Sequence, residues 1–426
     1  MRRPVYFCYA DPTGFSGQKA AIELVIKGLS GRAWVCRRLP QPVLDRHGRG
    51  GRAHLDYLLS VLLSWIHALR LLGARGSWLC VGLGQTRAAF LRDAVPLLLG
   101  RAGLGRARLV ISLNGSLFMH WADHSLETRV FRFLLKNAGT VTVVGKQQRA
   151  RLVALGLPET RVAIVVNSCD LELASAEAVV AKHPLGTDGK RAVRCLYLSS
   201  LIDTKGFPEY LEALHRLSAL AGPPVEAVLC GRLVASEFSS RFHDDAAAEA
   251  WIENQIAEIN RDARVRVRWV NGAAGADKAA LFRDAELFVL PTRYAVEAQP
   301  LVLLEAMASG CAIITTRAGE ISTILDDHSA MFLPAVSTDA LATALQTLVA
   351  DAAARARLAR TAHARFMERY QIERHLDQWE TLLTAKPTAQ GAFHTKVAKG
   401  REETPECIRS TTKPMLRMTD HFPDQP

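Results

Sequence analysis

Along most of the chain, short apolar runs alternate with stretches in which apolar residues recur every three or four positions. The runs read as strands buried on both faces, and the periodic stretches read as helices packed along one side. The alternation occurs twice. In the first series strands are expected at 4–9, 33–37, 78–82, 108–113, 141–144 and 162–166, with helices at about 18–29, 53–72, 86–100, 125–136 and 147–155. A polar, weakly patterned stretch covers about 171–191. The second series begins at Cys195-Leu196-Tyr197-Leu198 and continues at 225–230, 265–269, 286–290, 311–315 and 330–333. Strands separated by helices make a mostly parallel sheet with helices on both faces. The expected fold is therefore α/β: two doubly wound Rossmann-like domains, 1–170 and 193–370, joined by a linker at 171–192, with a ligand cleft between them. A helical pattern runs from about 338 to 385 and includes a terminal helix at 371–386. Residues 387–426 are polar, rich in Thr, Lys and Pro, and aperiodic, which is the composition of a disordered tail.

Charge changes this picture on one side only. The chain has 426 residues and a net charge of +11. Residues 1–170 hold 24 Lys and Arg against 9 Asp and Glu, a balance of 24 − 9 = +15, so the remainder carries 11 − 15 = −4. The first domain therefore suits an anionic partner. No basic–aromatic ladder, helix-turn-helix or RNA-recognition signature accompanies the charge, so an anionic membrane surface is the more economical partner and nucleic acid is not expected. The eight cysteines include no C-x-x-C pair, and several lie in strand-like runs such as Val228-Leu229-Cys230. They read as reduced, buried thiols of a cytoplasmic protein, not as a zinc site or a disulfide framework. The start, Met-Arg-Arg-Pro, lacks the apolar core of a signal peptide. The most apolar stretch, Tyr57 to Gly73, is interrupted by His67 and Arg70 and reads as a packed amphipathic helix, not a span. The expected place is the cytoplasm, peripheral to the inner face of the cell membrane.

The chemistry concentrates at 287–316. An apolar run, Leu287-Phe288-Val289-Leu290, leads through a loop carrying Glu297 into helix formers around Glu305, and then through Gly310 into a second apolar run at 311–316. A loop feeding a helix N-terminus offers free backbone N–H groups to a phosphate, here those of Ala298, Gln299 and Leu301. The two carboxylates can accept hydrogen bonds from sugar or ribose hydroxyls. Four other strand ends hold candidates. The turn Asp11-Pro12-Thr13-Gly14-Phe15-Ser16-Gly17 brings glycine backbone and a helix start together. Lys205-Gly206 follows the strand at 195–198 and could place an ammonium on a phosphate or be a surface lysine. Arg232 follows Cys230-Gly231 at another strand end. Ile111-Ser112-Leu113-Asn114-Gly115 ends a first-domain strand, with His120 shortly after; this histidine could serve chemistry or pack beside Trp121.

The string Glu297 to Glu305, with seven residues between the acids and Glu-Ala-Met-Ala-Ser-Gly after them, resembles the E-x7-E segment of retaining glycosyltransferases of the GT-B fold, family 4 (glycosyl transferases group 1). The resemblance implies a nucleotide-diphosphate sugar as donor, a hexosyl group moved to a hydroxyl of a saccharide or lipid-linked acceptor, and a place in polysaccharide or glycolipid biosynthesis. It implies that Glu297 orients the donor sugar, Glu305 takes the ribose and Lys205 takes the diphosphate. Gly17 and Gly14 would face the diphosphate and acceptor, and the last helix would cross back to the first domain. No cofactor or metal is expected, because the aspartate pair of a divalent-cation site is absent. The chain departs from the family in four places, one of them Ala318-Gly319-Glu320-Ile321, which resembles the family's Gly-Gly-x-x-Glu turn with one glycine lost and reads as structural. Asn114 stands where a histidine is usual, Ser199 and Ser200 stand where an arginine is usual, and Ser168 replaces a glycine in Asn167-Ser168-Cys169-Asp170. These departures keep open a catalytically silent nucleotide-sugar-binding subunit and another GT-B enzyme, such as an epimerase or sugar synthase.

Overall fold

The computed structural model describes residues 4–11, 16–43, 51–185, 191–234, 239–242, 244–261 and 264–385, the side chains of 51–55 excepted. The expected tail at 387–426 lies outside them, as does Gly14. The first domain is a parallel sheet of β1 (Val5–Asp11), β2 (Cys36–Pro42), β3 (Trp78–Gly82), β4 (Leu109–Leu113), β5 (Thr140–Val143) and β6 (Val162–Ile164), in the order β2-β1-β3-β4-β5-β6. Its helices are α1 (Gly17–Gly31), α2 (Gly51–Ala68), α3 (Arg87–Leu104), α4 (Leu126–Lys136) and α5 (Lys146–Ala154). The second domain repeats the plan with β7 (Val193–Leu198), β8 (Val225–Cys230), β9 (Val265–Val270), β10 (Leu287–Leu290), β11 (Ala312–Thr315) and β12 (Met331–Phe332), in the order β12-β11-β10-β7-β8-β9. After α6 (Ala176–Lys182), its helices are α7 (Phe207–Ser218), α8 (Asp245–Ile259), α9 (Gly275–Asp284), α10 (Leu301–Ala308), α11 (Ile321–Ile324), α12 (Thr338–Ala350) and α13 (Ala352–Arg369), and α14 (Ile372–Thr384) closes the described chain. This is the two-domain Rossmann-like α/β fold.

The inner strands are legible because both of their faces are buried. Leu287, Phe288 and Val289 of β10 and Ala312, Ile313 and Ile314 of β11 are fully excluded from solvent, so each strand is one unbroken apolar run. The edge strand β2 is less regular. It lies three residues later than its apolar run suggests and includes Pro40 and Pro42. An edge position tolerates proline because no ladder bond is lost on its free side. The stretch expected as an unpatterned linker contains α6. Ser175 caps it by accepting the Ala178 N–H at 3.2 Å, and Val179 joins the core of the second domain. The long helical region is three helices, divided at Asp351, whose side chain caps α13 through the Ala354 N–H at 2.8 Å, and again at Tyr370–Gln371.

The last helix α14 packs on the first domain. Leu376, Trp379, Leu382 and Leu383 join a buried cluster with Val5, Phe7, Ile26 and Trp34. At its rim Arg32 pairs with Asp377 at 2.5 Å and Glu380 at 2.9 Å, and the Trp34 indole donates to Glu380 at 2.6 Å. Burial of four large apolar side chains is worth several kcal/mol, about 1.5–3 each, whereas the exposed part of the ion-pair rim adds little. The stretch Tyr57 to Gly73 differs from the packed helix expected of it. It forms α2 and a 3-10 turn, Leu69–Gly73, and leaves most of its leucines in solvent.

Candidate functional site

In each sheet the strand order reverses at one point: between β1 and β3 in the first, and between β7 and β10 in the second. Loops leaving neighbouring strands there diverge to opposite faces and open a crevice at the carboxyl ends. The segment after β7 carries Lys205, and the segment after β10 carries Glu297. The structure brings the two together, with Lys205 Nζ 3.4 Å from Glu297 Oε2 and both side chains largely buried. The ammonium also lies 4.9 Å from the centre of the Tyr294 ring. Thr292 Oγ1 donates to the same Glu297 oxygen at 3.4 Å and accepts the Tyr294 N–H at 3.1 Å, which fixes the start of the loop. Beside it, Tyr197 donates to the Lys205 carbonyl at 3.2 Å. Gly206 follows Lys205 at φ 86°, and a Cβ there would stand 2.3 Å from the Pro291 carbonyl oxygen. Glycine is therefore required for the two loops to meet.

Glu305 sits on α10, 4% exposed. Its Oε1 accepts from Lys278 Nζ of α9 at 2.5 Å, and its Oε2 is buried without a partner among the described residues. Burial raises the Glu305 carboxyl above the ordinary range, and Lys278 opposes the shift. A buried carboxylate oxygen with an unused lone pair is costly unless something fills it, and a hydroxyl donor would. The α10 N-terminus, capped only by Pro300, leaves the N–H groups of Ala298, Gln299 and Leu301 without a bonded acceptor among the described residues.

The first domain reaches the same loop. His120 Nε2 is 2.5 Å from the Ala295 carbonyl oxygen, so this ring nitrogen fastens the glutamate loop and is not left for a substrate. The Gln299 side chain accepts the Asn167 N–H at 2.6 Å; it clasps the domains, and only its backbone N–H is left toward a ligand. Asn114 lines a small cavity with Ser112, Thr142, Asn167 and His375, and no hydrogen bond links it to the glutamate loop. Gly17 opens α1, where a Cβ would meet no atom of the described residues within 4 Å. Arg232 is exposed with its stem against Gly272, while its carbonyl accepts the Leu201 N–H at 2.8 Å. Arg293, at the start of the glutamate loop, is taken up by Glu209.

Two residues of the site are not marked for chemistry by the sequence. Lys278 is one. The other is Glu320, which the Ala318-Gly319-Glu320-Ile321 turn suggests is merely structural. It is buried, and its Oε1 accepts the Gln148 N–H of α5 at 2.6 Å across the domain boundary, while Oε2 has no hydrogen-bond partner among the described residues. Burial raises its carboxyl above the ordinary value. The folded state thus holds this proton more tightly than the unfolded chain, so the stability Glu320 contributes is fully present below the ordinary glutamate value of 4.5 and is lost as pH rises through the folded value. Glu320→Gln is expected to flatten the decline of melting temperature with pH in that window. Parallel curves for variant and parent would remove Glu320 as its source.

Residues 185–365 match the family model described as glycosyl transferases group 1. No curated protein matches the chain. Among solved structures, Anabaena HepE in complex with UDP and glucose aligns with a TM-score of 0.63 and 17% identity, over 89% of this chain and 99% of its own. Sucrose-phosphate synthase from Thermosynechococcus elongatus gives 0.64 and 18%, over 89% and 98%. The lipopolysaccharide outer core galactosyltransferase WaaB, in its apo form, gives 0.56 and 13%, over 89% and 99%. These likenesses establish a GT-B fold.

Proposed function

We propose that this chain, whose second domain is a group 1 glycosyltransferase domain, moves a hexosyl group from a nucleotide-diphosphate sugar to a hydroxyl of a saccharide or lipid-linked acceptor, with retention at the anomeric carbon. The observation that carries the reading is the meeting of Lys205 and Glu297 at the switch point of the second sheet, beside the N–H groups of Ala298, Gln299 and Leu301 at the start of α10, which bond no acceptor among the described residues. A diphosphate set on that helix N-terminus would meet one ammonium and several amide donors, which stabilise the charge that builds as the sugar leaves. No metal or cofactor enters this reading. Glu305 Oε2 supplies the acceptor for a ribose hydroxyl, and Glu297 orients the sugar from the opposite side of the loop. The bond from the anomeric carbon to the β-phosphate oxygen breaks, and a bond to the acceptor oxygen forms on the same face. With His120 engaged by Ala295 and no imidazole at Asn114, the acceptor proton passes to the departing diphosphate oxygen.

The Anabaena neighbour holds UDP and glucose, which makes UDP-sugars the first donors to test. Purified protein is offered UDP-, GDP- and ADP-sugars while its melting temperature and the release of nucleoside diphosphate are followed together. A sugar-specific shift with slow release is the expected result. A shift without release, even with lipid-linked acceptors present, would favour a silent nucleotide-sugar-binding subunit. No shift with any nucleotide would overturn the reading.

A further inference from the structure

The outward face of α2 is aliphatic. Leu58, Leu59, Leu62, Leu63 and Ile66 are 64%, 56%, 51%, 49% and 52% exposed, and Leu69 and Leu72 of the following turn are 50% and 46% exposed. Positions 59, 62, 63, 66 and 69 fall on one helical stripe. The inward face buries Val61, Ala68 and Leu71. Ser64 is buried there, donating to Gln41 at 3.0 Å and to the Val61 carbonyl at 2.7 Å, and Trp65 donates its indole N–H to the Arg92 carbonyl at 3.0 Å. Single exposed leucines are ordinary on a protein surface, but a continuous stripe marks a surface that something covers.

Charge identifies the cover. Residues 46–75 contain Arg46, Arg49, Arg52, Arg70 and Arg75, and Asp56 is the one acid among them. Arg70 and Arg75 are exposed. A second copy docking through this face would set the same arginines against each other, because a two-fold contact brings like patches together. An anionic lipid surface meets them with opposite charge. The segment Asp56–Gly73 has the length and mean hydropathy, 1.2, of a membrane span. Its inner face, however, is fastened to β2 by Ser64 and to α3 by Trp65, so it can lie in the interface but not cross it. We propose that α2 and the turn after it form an in-plane docking face for an anionic phospholipid bilayer, placing Leu58, Leu59, Leu62, Leu63, Ile66 and Leu69 below the headgroups while Arg70 and Arg75 meet lipid phosphates. This inference does not rest on glycosyl transfer.

The test is flotation of the full chain with phosphatidylcholine vesicles, with and without phosphatidylglycerol. Binding is expected only when phosphatidylglycerol is present and is expected to weaken as salt rises. The triple variant Leu59→Ser, Leu62→Ser, Ile66→Ser should bind about tenfold more weakly or less, as lost apolar insertion requires, and should keep the parent melting temperature because those side chains are exposed. Arg70→Gln with Arg75→Gln, which leaves the leucines intact, should reduce the salt dependence even if the triple variant folds poorly. No binding to phosphatidylglycerol vesicles, equal binding by variant and parent, or a dimer in sedimentation that the leucine changes abolish without any vesicle binding would each overturn the proposal.

Discussion

Glu297→Gln is expected to remove transfer while leaving the fold in place. Glutamine keeps the volume and can still accept from Thr292 through its carbonyl oxygen, so the loop that this bond starts should keep its shape. What is lost is the charge beside Lys205 and the acceptor strength toward sugar hydroxyls. Removing one member of a buried ion pair is costly when the other is left dry. Here the Lys205 side chain retains 16% exposure and the Tyr294 face, so water and the ring can hold the ammonium and the melting temperature should move little. The rate should fall roughly 10²–10³-fold, the scale of losing one polar group that acts on a developing charge in a water-excluded site. Nucleoside diphosphate release in the presence of acceptor, measured next to a thermal melt, separates the two effects. Turnover within a few-fold of the parent would show that Glu297 does not act on the donor sugar.

The glutamate segment was readable because several local rules coincide there. Two unbroken apolar strands, a helix ending at Gly310 and two acids at fixed spacing need no knowledge of the rest of the chain. The Lys205-Gly206 turn is readable for the same reason, since a left-handed residue between a strand and a helix calls for glycine. The partners of these residues were not readable. Lys278 reaches Glu305 from another helix, and Glu320 reaches Gln148 from another domain, so no period or spacing in the sequence connects them. His120 shows the opposite failure. Its position after a first-domain strand suggests chemistry, yet its partner is the Ala295 backbone carbonyl of the second domain, far away in sequence. The leucines of α2 are a third kind of case. Their helical spacing is plain, but the periodicity of an apolar stripe does not say whether protein or lipid lies against it. The exposures settle which face turns out: Val61, Ser64, Ala68 and Leu71 are buried, while Leu59, Leu62 and Ile66 stand in solvent.

Lys205→Met is expected to weaken donor binding as well as slow the reaction, and the division between the two tests what the lysine is for. The ammonium stands 3.4 Å from Glu297, a long ion pair, and faces Tyr294, so it has hydrogens left for a phosphate oxygen. A charge-assisted hydrogen bond of this type contributes about 1.5–3 kcal/mol, which corresponds to roughly 10–100-fold in the dissociation constant of the nucleotide sugar. If Lys205 takes the diphosphate, the free nucleoside diphosphate should lose affinity by a similar factor, because it presents the same phosphates without the sugar. If Lys205 serves only to orient Glu297, diphosphate binding should be unchanged and the loss should fall on turnover alone. Glu297→Gln should behave in the reverse sense. It frees the ammonium from its carboxylate, so nucleoside diphosphate should bind that variant at least as tightly as it binds the parent. Calorimetric titration of the nucleoside diphosphate against the parent and both variants decides the matter. An unchanged dissociation constant in Lys205→Met would move the diphosphate away from this lysine and onto the N–H groups of α10.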